Sequence, residues 1–230
     1  MSARLAGAPP RAVLLDLDGT LVDSARDLAE TLDDLLAEAG HPPLGREKVA
    51  TMIGAGVAAL VQRGFAARGV PLDEAGTAAR TSRFMELYTP RATRHTRPCT
   101  GVAAALGALA DAGVPMAVCT NKPQAVSEQI LADLGLLSHV RAVVGGDCGL
   151  PKKPDPAILL RALELLGATP SDAVHVGDGR ADMEAAQAAG MRAVFVEGGY
   201  AGPDDRSGAA LVLSSFAGLP EALGLLAAVR

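Results

Sequence analysis

Between positions 114 and 199 the chain alternates short apolar runs with stretches of helical periodicity. The runs are "VPMAVCT", "VRAVVGG", "AVHVGD" and "RAVFVEGG", and the helical stretches cover 125–134, 156–166 and 183–189. Alternation of this kind predicts βαβ units, and hence a parallel sheet with helices on both faces. An earlier run, "AVLLDL" at 12–17, has the length and composition of a further strand in the same sheet.

The intervening segment has a different period. Leu28, Leu32, Leu35, Leu36 and Ala39 recur at helical spacing, and Ser24 with Asp27 predicts a capping box at the helix start. A second helical pattern carries Val57, Leu60, Val61 and Phe65, and a weaker third carries Phe84, Leu87 and Tyr88. Gly40, Pro42, Pro43 and Pro71 supply the breaks. The expected architecture is therefore α/β: a doubly wound, Rossmann-like parallel-sheet core made of 1–22 and 93–230, with a helical insertion at 23–92.

Composition narrows the functional classes. The chain has 230 residues, 49% of them hydrophobic, enough to bury a sizeable core. A formal charge of −5 with no basic block argues against nucleic acid or an anionic membrane as partner, and 3% aromatic content without Trp argues against stacking on bases. Asp16 interrupts the first apolar run before it reaches the length of a signal-peptide core, and no stretch approaches membrane-spanning length, so the expected location is cytoplasmic. Cys99, Cys119 and Cys148 match no metal pattern and read as reduced thiols.

Candidate chemistry gathers where strands end, because ligands of open α/β sheets bind beyond the carboxyl ends of the strands. Asp16 and Asp18 follow the first strand. Thr120 and Asn121 follow the second, Asp178 ends "AVHVGD" with Asp182 four residues on, and "LPKKPDP" offers Lys152 and Lys153. Two close carboxylates stay charged together only beside a cation, and an all-oxygen cluster suits Mg²⁺. With a hydroxyl from Thr120 and an ammonium from Lys153, such a site would cradle a phosphoryl group. The plainer alternative is a DG turn whose aspartates cap the next helix. Lys152 reads as solvent-facing, and no histidine is given a role, His175 reading as a core residue. Gly54, Gly56 and Ala59, with Asp73 further on, also fit a dinucleotide fingerprint, but the preceding "REKVATM" reads as helix rather than strand, so that match is set aside.

"DLDGT", "VCTNKP", "KKPDP" and "VGDGRAD", in this order, resemble the four motifs of the haloacid dehalogenase-like superfamily. The resemblance implies Asp16 as nucleophile, Asp18 as general acid and then base, and Thr120 and Lys153 as phosphate ligands, with Asn121 a further phosphate- or substrate-binding residue. It also implies Mg²⁺ held by Asp16, the Asp18 backbone carbonyl and Asp178, with Asp182 behind. The helical insertion resembles the family's cap, with hinges expected at 19–21 and 91–98. "GGDCGLPKKPDPAIL" and "IGAGVAALVQRGF" are similar to phosphoglycolate phosphatases, which implies 2-phosphoglycolate as substrate and the loop Gly54, Ala55, Gly56, with Arg63, as the part of the cap that faces it. Gly179 departs from the Ser or Thr of many relatives. Alternatives are another small phosphate ester, a mutase of the β-phosphoglucomutase type, or a non-enzymatic binding module. Dehalogenation does not need the proton donor that Asp18 supplies. Monomer and homodimer both remain open.

Overall fold

The computed structural model describes residues 4–200 and 202–225. Strand β1 (Ala12–Leu15) is followed by a two-residue strand β2 (Val22–Asp23). Four helices come next, α1 (Ala25–Glu38), α2 (Arg46–Ala50), α3 (Val57–Ala66) and α4 (Glu74–Tyr88), and then a second short strand β3 (Arg97–Pro98). The remainder runs α5 (Val102–Asp111), β4 (Met116–Cys119), α6 (Gln124–Asp133), β5 (Ala142–Val144), α7 (Ala157–Leu166), β6 (Ala173–Gly177), α8 (Arg180–Ala188), β7 (Arg192–Val196), β8 (Leu211–Leu213) and α9 (Leu219–Ala222).

Six strands form one parallel sheet in the order β5-β4-β1-β6-β7-β8. Leu14 of β1 lies opposite Ala117 on one side and His175 on the other, so β1 is central and its exit is the point where the winding reverses. The period-2 alternation of β1 divides the core. Val13 and Leu15 face a cluster that takes in α5, α6 and α9, while Ala12 and Leu14 face one built from α7 and α8. Helices thus cover both faces, the doubly wound arrangement expected from the sequence. Three elements packed with the sheet lie outside the sequence reading: α5, although Val102, Ala105, Leu106 and Leu109 are buried at helical spacing, β8, only three residues long, and α9, only four.

Helices α1 to α4 pack on one another, α1 touching α2, α3 and α4. Their two connections to the sheet run side by side: β2 and β3 pair antiparallel, Val22 opposite Pro98 and Asp23 opposite Arg97. The expected capping box at α1 is not formed. Ser24 makes no side-chain cap, and the α1 amides of Ser24 and Ala25 donate instead to the Tyr200 hydroxyl, at 2.6 and 2.9 Å. Asp27 turns to the other connection and accepts from the His95 and Thr96 amides and the Thr96 hydroxyl. A buried carboxylate is stabilised most where it finds most donors, and three lie in that connection.

Candidate active site

The β1 exit places its two aspartates against different lysines. Asp16, one residue past the strand, keeps sheet pairing through its amide to the Val176 carbonyl at 2.9 Å. Its buried carboxylate accepts from Lys153 Nζ at 2.7 Å, and the same ammonium donates to Asp182 at 2.6 Å. Asp18 accepts from Lys122 Nζ through both oxygens, at 2.9 and 3.0 Å, and from the Ser24 hydroxyl.

Directly after Asp18 the chain turns sharply, with the Gly19 amide bonded to the Val22 carbonyl. Gly19 has φ +89°, and a Cβ there would lie 2.3 Å from an Asp178 oxygen, so both the turn and the neighbour require glycine. Gly199 is constrained by the same carboxylate, since its Cβ would fall 2.1 Å from Asp178 Oδ2.

Asp178 follows β6 and accepts from the Thr20 hydroxyl and the Tyr200 amide. Asp182 lies in the first turn of α8, where a carboxylate is favoured by the helix dipole. It accepts from Lys153, from His175 at 2.9 Å and from the Gly179 amide at 3.2 Å. Oxygens of Asp16, Asp178 and Asp182 all lie within 4.8 Å of one another, and all three residues are buried.

Three buried carboxylates share one ammonium, and the electrostatics record the imbalance. Burial pushes Asp16 up to about 8 against the pull of Lys153, with Asp182 and Asp178 adding to the rise. Burial and the Asp182 charge raise Asp178 to about 6. Burial also opposes ionisation of Asp182, but Lys153 and His175 outweigh it and hold that carboxyl well below the usual range. His175 is pushed down by burial and stays neutral, its ring N–H donating to Asp182. An excess of buried negative charge in an oxygen-only donor set is what a hard divalent cation neutralises, so the residues present fit one.

Thr120 Oγ1 accepts from the Lys122 amide at 3.2 Å, which leaves its own O–H free to donate. Asn121 differs from the expectation of a ligand-binding side chain. Its Nδ2 donates to the Gly54 and Lys153 carbonyls and its Oδ1 accepts from the Lys153 amide, so the amide holds two loops together. Residues Gly54 to Gly56 form the turn between α2 and α3 and lie over the β1 exit. Ala55 and Arg63 sit on the outer side, with Arg63 donating to the Met52 carbonyl at 2.7 Å.

Two spaces meet at Asp16 and Asp18. A cleft of about 630 Å³ lies on the Lys153 side, bounded also by Asp178, Asp182, Arg63 and Arg180. A chamber of about 30 Å³ lies on the Lys122 side, walled by Leu28, Ile53, Val57 and Leu60. Lys122, Thr20, Tyr200 and His175 were not assigned roles from the sequence. Lys122 is 3% exposed, and only its position inside "VCTNKP" could have drawn attention to it.

A family model for haloacid dehalogenase-like hydrolases matches residues 13–196. The chain belongs to that family. It is an enzyme of the hydrolase class. It is 41% identical over 220 residues to a phosphoglycolate phosphatase of Rhodospirillum rubrum, covering 94% of this chain and 91% of that one. A Caulobacter vibrioides phosphoglycolate phosphatase is 39% identical over 211 residues, covering 91% and 89%. A solved structure described as a predicted phosphoglycolate phosphatase from Haemophilus somnus superposes with a TM-score of 0.85 at 29% identity, covering 92% of this chain and 96% of that one. No helix among the described residues is long and apolar enough to cross a membrane.

Proposed function

We propose that this hydrolase is a Mg²⁺-dependent phosphomonoesterase that cleaves 2-phosphoglycolate through a phospho-aspartate on Asp16. The observation that carries the reading is the buried Asp16 carboxylate, bonded to Lys153 and clustered with Asp178 and Asp182 at the centre of the sheet's carboxyl edge.

Asp16, Asp178 and the Asp18 backbone carbonyl would hold the cation, which when bound offsets charge on the phosphoryl oxygens. Asp182, whose oxygens already serve Lys153, His175 and the Gly179 amide, orients that lysine. Lys153 has a third N–H and Thr120 a free O–H for the remaining phosphoryl oxygens. An Asp16 oxygen attacks phosphorus, the ester P–O bond breaks, and the leaving oxygen takes a proton from Asp18. Asp18, now a carboxylate, takes a proton from water, whose oxygen attacks phosphorus and breaks the P–O bond to Asp16, releasing phosphate.

In this reading residues 23–92 act as a cap on a core of 1–22 and 93–230, and the β2·β3 ribbon is its hinge. The Asn121 side chain reaching Gly54 favours a closed cap that excludes water during the first transfer. The chamber of about 30 Å³ is a few times the smallest space that holds a water, roughly 10–15 Å³. That size favours a tail of a few heavy atoms over the sugar a mutase must hold. We further assign the protein to the cytoplasm, as monomer or homodimer, with small phosphorylated metabolites rather than nucleic acid or membrane as partners.

The test is Mg²⁺-dependent phosphate release by wild type and Asp16→Asn over a panel of phosphomonoesters. Preferred turnover of 2-phosphoglycolate that vanishes in the variant supports the proposal. Another preferred ester removes the substrate assignment, and an active variant removes the nucleophile.

A further inference from the structure

Lys122 is a buried cation at a small space that Asp16, Asp18, Thr120 and Asn121 also line. It sits in the lining of the small chamber, whose upper walls are aliphatic side chains of α1, α3 and the turn before α3. An ammonium so placed is costly unless paired, and here both Asp18 oxygens pair it. The Tyr88 ring of α4 stands against the same group, 4.9 Å from Nζ to the ring centroid. The buried Tyr88 hydroxyl has no hydrogen-bond partner among the described residues.

Lys122 donates to both Asp18 oxygens, and the Ser24 hydroxyl also donates to Oδ1. Lys122 can leave Asp18 only for another anion, because an unpaired ammonium in that chamber is unfavourable. Gly56, the N-cap of α3, and Val57, its first residue, border the chamber with the partly positive end of the helix, across from the Asp16 and Asp18 carboxylates. Arg63, the other basic candidate, is exposed, borders the wide cleft rather than the chamber, and is engaged with the Met52 carbonyl.

We propose that Lys122 is the specificity-determining residue for phosphate esters with a short carboxylate tail. The substrate's carboxylate takes Lys122 over from Asp18, so that an acidic tail is bound, whereas a neutral tail leaves Lys122 on Asp18. The inference rests on the phosphomonoesterase reading above.

The experiment compares 2-phosphoglycolate with 2-hydroxyethyl phosphate, which keeps both carbons and replaces the carboxylate with a hydroxymethyl group. Steady-state kcat and KM are measured for wild type, Lys122→Met and Lys122→Gln. Wild type should favour 2-phosphoglycolate by about 100-fold or more in kcat/KM, and the preference should fall below about 10-fold in both variants. The variants also lose an Asp18 partner, so some loss on the neutral ester is expected. Equal loss on both esters, or a preference that survives the variants, overturns the proposal.

A second measurement needs no variant. Free glycolate should inhibit wild-type hydrolysis of 2-hydroxyethyl phosphate competitively, where ethanediol at equal concentration does not; equal inhibition overturns the proposal even if the variants fail to fold. Failure of the underlying reading is separately visible, as phosphate release that persists in Asp16→Asn.

Discussion

Two buried lysines bracket the exit of β1 in opposite surroundings. Lys153 stands among carboxylates beside a cleft of about 630 Å³, with Asp16 and Asp182 both bonded to it and His175 behind Asp182. Lys122 has a single carboxylate, an aromatic face and a chamber of about 30 Å³ walled by aliphatic side chains. One lysine is outnumbered by negative charge and leaves room for a cation. The other balances its partner and leaves room for an anion. In the proposed reading the two sides divide the work: covalent chemistry at phosphorus on the Asp16 side, and recognition of the substrate's tail by Lys122 beside Asp18.

The comparison breaks most decisively at Asp16. Asp16→Asn should lower phosphate release from every ester by about 10⁴-fold or more, because an amide oxygen does not form the covalent intermediate. Turnover above that level in pure variant protein would move the nucleophile elsewhere. Lys153→Met should lower kcat by about 10²- to 10³-fold on acid-tailed and neutral esters alike. It should also destabilise the fold by about 3–5 kcal/mol, since buried carboxylates lose their counter-charge. Paired kinetics and denaturant unfolding check both effects. A selective loss on one ester would erase the distinction from Lys122.

Charge imbalance on the Lys153 side gives a pH signature. Asp16 is held at about 8 in the fold against an ordinary value of 3.8, so between those values the native state without metal binds more protons than the unfolded chain. Stability then falls as pH rises, the slope following the protons bound by the unfolded state minus those bound by the native state. His175, pushed down by burial from 6.5, acts with the opposite sign only below that value. Between about pH 6.5 and 8 the chelated protein should therefore lose Tm, and added Mg²⁺ should restore it increasingly with pH because it binds the ionised carboxylates. A Tm indifferent to both pH and Mg²⁺ would mean that the cluster is not a cation site.

The smallest expected effect lies at Tyr200, which serves both sides. Its amide donates to Asp178, while its hydroxyl accepts from the first amides of α1 and donates to Asp23. Tyr200→Phe should cost about 1–2 kcal/mol of stability, the scale of a lost helix cap. It should leave ester preference unchanged, which thermal melts and the two-ester assay would show.

Much of the Lys153 side was legible in the sequence. Asp16, Thr120 and Asp178 follow apolar runs directly, and the exits of parallel strands must lie together on one edge of the sheet. Lys153 stood out because a proline and an aspartate follow it in a motif of known order. The Lys122 side was not legible in the same way. Lys122 is two residues past Thr120 in a polar loop and would read as solvated. Its burial depends on Tyr88, contributed by a helix 34 residues earlier in the chain. The capping box failed for a similar reason: Ser24 and Asp27 found donors and acceptors outside their own helix, at Asp18 and in the connection at His95 and Thr96.

The sequence by itself determined the alternation of strands and helices, the helical insertion and the residues at the strand exits, because periodicity and strand polarity are local properties. Only the tertiary structure decided which lysine meets which aspartate, that Asn121 binds loops together, and that a chamber of a few heavy atoms lies beside Asp18. Those outcomes depend on which side chains remain unpaired once distant segments pack, and burial makes each unpaired charge or donor costly enough to select its partner.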